Sequence, residues 1–175
     1  NAGDLTVDAF DAININGAFA QNAGVADVTA NTVNMQSLSV DGTVGTQLNL
    51  NADKVAVSGN AIINGDFYQG GTDGIVNWGG SNFDASNLTV GGNLFVNSDN
   101  ATYTVGTSAK IVGTVYVADN AGATFNVNNI FSAGAIDNKS ELKKYIKEVK
   151  VTNNKGETVK EIGEDKKGNL VKIDV

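Results

Sequence analysis

The stretch ASNLTVGGNLFVN, residues 85 to 97, sets two three-residue apolar alternations, Leu88-Thr89-Val90 and Leu94-Phe95-Val96, on either side of a Gly91-Gly92-Asn93 corner. Strands this short bury too little surface to stand as an isolated hairpin. Each therefore needs partners from elsewhere in the chain, and that requirement restricts the fold more than any other feature. Because successive strand residues point to opposite faces, Val90 and Val96 are expected to point inward with Leu88 and Leu94, and Thr89 and Phe95 outward.

Comparable stretches begin at Ala30, Ala52, Ala85 and Ala109, with starts 22, 33 and 24 residues apart. A second echo pairs INGAFAQNAG at Ile15 with INGDFYQGGT at Ile63, and a third pairs DNATYTV at Asp99 with DNAGATFNV at Asp119. A sandwich or barrel normally uses strands of about five or six residues joined by hairpins. Short β-branched strands between Gly, Asn, Asp and Ser corners, recurring at roughly 20 to 24 residues, instead fit one coil of a parallel β-solenoid. The fold expected is all-β: a parallel β-solenoid (β-helix) over residues 1–136, with a small α+β cap over 137–175. About six irregular coils, each rising about 4.8 Å, make a rod about 30 Å long. The Asn-rich body admits two readings, stacked amide ladders along the axis or simply a biased composition.

Composition narrows the chemistry. The chain has no Cys, His, Pro or Arg, which argues against disulfides, thiolate or imidazole metal sites and imidazole-based triads. No cofactor is expected. Residues 1–136 carry eleven Asp, no Glu and two Lys, Lys54 and Lys110, for a balance of −9; residues 137–175 carry ten Lys, five Glu and three Asp, for +2. The acidic body disfavours nucleic acid, which binds through cationic neutralisation, and the change near Asp137 marks the domain boundary. The chain begins at Asn1 without a signal-like segment, as expected of a processed protein or of part of a longer one.

In the tail, Leu142, Tyr145, Ile146 and Val149 form one apolar helical stripe behind a capping-box-like Asn138 and Glu141. VKVT, ETVKEI and NLVKIDV read as short strands beyond it, with Val171, Ile173 and Val175 alternating. A module of this kind suits the end of a solenoid, where unpaired backbone groups invite association unless covered. A membrane-surface role for the Lys-rich helix is the weaker reading.

The unit from Ala52 to Ala85 is about ten residues longer than its neighbours, and its excess is YQGGTDGIVNWGG, residues 68 to 80. Insertions in solenoids map to loops on one face, often the binding face. Tyr68, Asp73 and Trp78 are therefore candidate ligand-binding residues, an aromatic pair beside a carboxylate that suits a glycan or protein surface. The competing and favoured reading is that Trp78 packs onto the coil and anchors the loop. The GGTDG run reads as a turn, and Asp99 with Asp119 as corner residues, with a shared cation as the lesser alternative. Sequons at Asn87, Asn100 and Asn138 carry little weight in so Asn-rich a chain. Paired catalytic carboxylates are not evident, and only Thr102 and Thr104 suggest the Thr ladder that an ice-binding face needs.

The coils LTV…INGAF, LNLNADKVAVSG and NLTVGGNLFVN resemble passenger domains of type V secreted bacterial proteins, the autotransporters and filamentous-haemagglutinin-like exoproteins. The resemblance covers residues 1–136 and is one of texture. It implies a right-handed β-helix exported to the surface of a Gram-negative bacterium, acting as an adhesin or structural stalk without catalysis. A carbohydrate-active β-helix enzyme and a self-assembling surface-layer or filament subunit are the alternatives. The partners implied are a host-cell or neighbouring-cell surface glycan or protein, with end-to-end self-association of the rod as a further expectation.

Overall fold

The computed structural model describes residues 3–98, 101–119, 121–138, 149–152 and 158–162. The strands run β1 (Leu5–Asp8), β2 (Ala12–Gln21), β3 (Val25–Thr29), β4 (Thr32–Val40), β5 (Gln47–Asn51), β6 (Lys54–Ile63), β7 (Phe67–Gln69) and β8 (Val76–Trp78). They continue as β9 (Asn82–Val90), β10 (Leu94–Val96), β11 (Ala101–Val117), β12 (Ala123–Val127), β13 (Ile130–Asn138), β14 (Val149–Thr152) and β15 (Thr158–Ile162). The described residues are all-β, and every pairing is parallel except that of β14 with β15. Strands stack coil on coil into a β-solenoid of about six turns.

The pairings define three walls. Face A stacks β1, β3, β5, β8, β7, β10 and the end of β11. Face B stacks the first halves of β2, β4, β6, β9 and β11, then β12. Face C stacks the second halves of the same strands, then the start of β13. The chain rounds the corner between B and C without leaving strand geometry, through register irregularities such as Met35/Leu38 and Val57/Asn60. Strands here are consequently longer than the three-residue runs visible in the sequence, because a bulge bends the ladder without ending it.

Each wall alternates in and out. Val90 and Val96 are fully buried, while Thr89 and Phe95 occupy the outward parity and are only partly covered. The partners that the short strands needed are their counterparts in adjacent coils. Leu88–Val90 lies between Ala61–Ile63 and Ala109–Ile111, and Leu94–Val96 between Phe67–Gln69 and Val115–Val117.

The phasing of the repeat differs from the sequence reading. Ala85 stacks on Val57, and the corner at Ala52 and Asp53 is met by Gly80 and Ser81. On face B the step from Lys54 to Asn82 is 28 residues, against 20 to 22 in the other coils, so the excess is smaller than ten. Ile15 lies on face B and Ile63 on face C, so that echo is not a structural repeat. The echo near Asp119 is one: Ala101, Tyr103 and Val105 pair with Ala123, Phe125 and Val127.

At the C-terminal end β14 joins β12 in parallel, Asn126 opposite Lys150 and Val127 opposite Val151, and β15 folds back on β14. β14 thus adds a strand to the edge of β12, the last face-B strand of the body. Of the expected helix, Asn138 and Val149 lie instead in β13 and β14, where they pair with Val117 and Ile162; Leu142, Tyr145 and Ile146, and the alternation of Val171, Ile173 and Val175, lie outside the described residues.

Candidate functional site

One outward column runs along face A and changes character halfway. Its lower part is polar. Asn49 Nδ2 donates to Asp27 Oδ1 (2.7 Å) and Asn77 Nδ2 to Asn49 Oδ1 (2.8 Å). Its upper part is aromatic, with Tyr68, Phe95 and Tyr116 in register. Tyr68 and Phe95 stack with centroids 4.0 Å apart, Phe95 and Tyr116 with centroids 4.9 Å apart. Asp137 follows Tyr116 in the same column. Phe95 is stacked on both faces, and because the rings stack along the column it is their edges that border solvent.

The insertion supplies the change. Face B passes directly from β6 to β9, whereas face A interposes both β8 and β7 between β5 and β10. The chain runs along β7, returns through residues 70–75, and runs along β8 in the same direction one layer nearer β5. Val76 and Trp78 face inward, so Trp78 is fully buried. Its Nε1 donates to the Ala52 carbonyl (2.9 Å), and its ring meets Phe67, Phe83 and Tyr103 in an interior aromatic cluster. Gly80 is required there, since a Cβ would lie 2.0 Å from the Ala52 oxygen and 2.6 Å from Trp78 Nε1. Buried Gln69 braces the same corner, donating to the Gly80 carbonyl (2.9 Å) and to Ser98 Oγ.

Of the three candidate residues, the structure brings Tyr68 and Asp73 together outside the wall and places Trp78 inside it. The Gly-rich return is shaped around Tyr68. A Cβ at Gly71 or Gly74 would sit 2.9 Å or 2.6 Å from the ring, and Gly70 takes the left-handed conformation (φ 71°) that opens the turn. Partial burial, then the carboxylates of Asp66 and Asp73, push the Tyr68 phenol above its ordinary pKa. Gln47 Nε2 reaches the Thr72 and Gly74 carbonyls (3.3 Å each), and Gly74 N–H donates to Asn77 Oδ1 (2.8 Å), fastening the return over the amide column.

Beneath that overhang lies an open cleft of about 470 Å³, lined by Asp27, Gln47, Asn49, Asn51, Thr72 and Asn77 together with backbone of the return. It combines amides, a carboxylate and a hydroxyl, a set that both donates and accepts hydrogen bonds. Sequence reading placed Phe95 outward but did not propose it, Tyr116, Asn49 or Asn51 as site residues. The usable signal was the outward parity of Phe95 and Tyr116 and their spacing of one coil, which has meaning only once the register is known.

A larger groove, about 670 Å³, follows the bend between faces B and C. Several side chains along it bond within the wall: Asn34 Nδ2 donates to Asn14 Oδ1 (2.8 Å), Ser86 Oγ to the Ser58 carbonyl (2.7 Å), and Asp84 pairs with Lys54 (3.1 Å). Asn87 of the first sequon bonds Asn60 and Ser108. Asp99 and Asn100 lie outside the described residues. Among the described residues no three acidic side chains converge as a metal-binding group. No family model, curated protein or solved structure matches the chain.

Proposed function

We propose that this chain is a stalk segment of an exported bacterial surface protein, working by holding its shape and carrying no catalysis. The observation that carries the reading is the use made of outward-facing side chains. On all three walls they bond to their counterparts one coil away. Asn34 bonds Asn14 on face B, Asn87 bonds Asn60 and Ser108 on face C, and Asn77, Asn49 and Asp27 bond in series on face A. A corner relay adds Asp66, which accepts from Asn93 N–H (2.7 Å), and Asn93 Oδ1, which accepts from Thr114 N–H (2.9 Å). Each bond contributes about 0.5–1.5 kcal/mol, and their alignment with the axis resists separation of coils.

The sequence texture of type V passengers supports placement at a Gram-negative surface, and the acidic, Cys-free body is compatible with it. The test is antibody labelling of intact against lysed cells of the source organism, joined to single-molecule pulling of the purified chain. Surface labelling and unfolding in force steps of one coil or more are expected. Labelling only after lysis would overturn the export reading, and extension without a force plateau the stalk reading. The adhesin reading rests on a different observation, the cleft and aromatic column of face A.

A further inference from the structure

We infer that face A holds a binding site for a neutral, hydroxyl-rich saccharide chain, laid along the axis from the cleft under residues 70–75 onto the Tyr68–Phe95–Tyr116 column. The inference does not depend on the stalk reading. Three observations carry it together.

The first is that the site is built. The extra layer of β7 and β8 exists on face A alone, and its return segment roofs a cleft over an otherwise flat amide column. The cleft volume, about 470 Å³, falls within the range of ligand pockets, about 300–1,000 Å³. Glycines at 71 and 74 let the roof close onto Tyr68, so the wall of the cleft and the first ring of the column are one unit.

The second is the chemistry of the lining. Asn49, Gln47 and Asn51 each bond within the wall through part of their amide and keep further donor or acceptor capacity, while Thr72 adds a hydroxyl and Asp27 a carboxylate. Sugar hydroxyls, each both donor and acceptor, match such a lining. Above the cleft the rings turn edges outward, and aromatic edges carry partial positive charge that favours oxygen lone pairs over cations. The stacked faces leave no room for a guanidinium or ammonium between rings 4.0 and 4.9 Å apart, which disfavours a basic peptide.

The third is charge. Asp27, Asp66, Asp73 and Asp137 lie in or beside the column, and the body's two lysines are elsewhere, Lys54 on face B and Lys110 on face C. This field repels uronates, sulfated and sialylated glycans. The strand repeat of about 4.8 Å along the column is of the order of one sugar ring, so successive rings meet successive layers.

The test is binding of the whole chain, by titration calorimetry and by perturbation of amide NMR signals. The probes are neutral gluco-, xylo- and manno-oligosaccharides, oligogalacturonide as the acidic arm and chitosan oligomers as the cationic arm. At least one neutral series should bind, with signals of Asn49, Asn51, Thr72 and Phe95 moving. Asn51→Ala and Phe95→Ala should each weaken it at least tenfold. Both side chains lie outside the core, so an unchanged circular-dichroism melt checks the fold; should Phe95→Ala melt early, Phe95→Leu with Asn51→Ala decides instead. Binding of the chitosan arm alone, or of the acidic arm, would overturn the proposal in favour of simple charge association. So would binding that neither variant alters, or no binding by any neutral series.

Discussion

Tyr68 and Trp78 sit on adjacent parallel strands, Tyr68 opposite Asn77 and Gln69 opposite Trp78, yet they face opposite sides of one wall. The insertion therefore has two parts with different energetics, a surface part around Tyr68 and Asp73 and a core part around Trp78. Trp78→Ala should cost about 3–5 kcal/mol, by loss of a buried ring and of the bond to Ala52. Thr72→Ala and Asp73→Asn should stay within about 0.5 kcal/mol. Urea denaturation of the three variants checks this, and deletion of residues 68 to 79 should behave like the Trp78 variant.

Val90 is fully buried between Ile63 and Ile111, whereas Thr89 lies between Ile62 and Lys110 on the outer side. Val90→Asp should destabilise by more than about 4 kcal/mol, since an unpaired charge would be buried. Thr89→Asp gains Lys110 as a cross-strand neighbour and should be within about 0.5 kcal/mol of the parent. Equal damage from both would contradict the parity.

Asn49 both donates to Asp27 and accepts from Asn77, and Asn77 is buried. Asn49→Ala removes two bonds and strands the Asn77 amide, for an expected loss of about 2–3 kcal/mol. Asn14, exposed at the end of its column, takes part in one such bond, and Asn14→Ala should cost under about 1 kcal/mol. The ratio between the two, from chemical denaturation, measures how far the ladders act in series.

The Tyr103 hydroxyl is buried in the aromatic cluster with no hydrogen-bond partner among the described residues, and burial pushes its ionisation well above the ordinary tyrosine value. In the unfolded chain the phenol ionises near pH 10. The folded state then holds a proton that the unfolded state releases. Stability linked to Tyr103 is therefore fully present below about pH 10 and falls as pH rises beyond it. Tyr103→Phe should be neutral to stabilising at pH 7 and should flatten the alkaline decline, read from melting temperatures between pH 7 and 11.

β14 pairs with β12 at the last coil, so removing residues 139 to 175 should bare a backbone edge. The body's charge opposes stacking at low salt, and screening weakens that opposition. The shortened chain should remain β-rich and associate more strongly as salt rises, by light scattering. A monomer at every salt concentration would mean that the tail is an appendage and not a cover.

How much of this was legible follows from parity and phase. Within one strand parity is local, so Val90 and Val96 inward and Thr89 and Phe95 outward could be read directly. Across a turn it is lost. Tyr68 and Trp78, an even number of residues apart, would share a side in a continuous strand, and the return at 70–75 resets the count. Phase was lost for a related reason: Val-Ala-Val, Leu-Thr-Val and Leu-Phe-Val look alike, so Ala52 aligns as well with Ala85 as with its true counterpart near Gly80. The aromatic column depended on both and stayed hidden, although each of its residues is plain in the sequence.

The additional strand on face A has a mechanical consequence. Between β5 and β10 that wall climbs three strand spacings, while between β6 and β11 face B climbs two. Walls of unequal height do not bound a straight column, so the rod should lean away from face A by up to one spacing, about 4.8 Å, a bend that small-angle scattering would read. At this level Phe67 and Trp78 from face A meet Phe83 and Tyr103 from face B and fill the interior between the two walls. A one-sided insertion is thus a means of setting curvature, and the same residues placed on face C should steer the rod toward a different side.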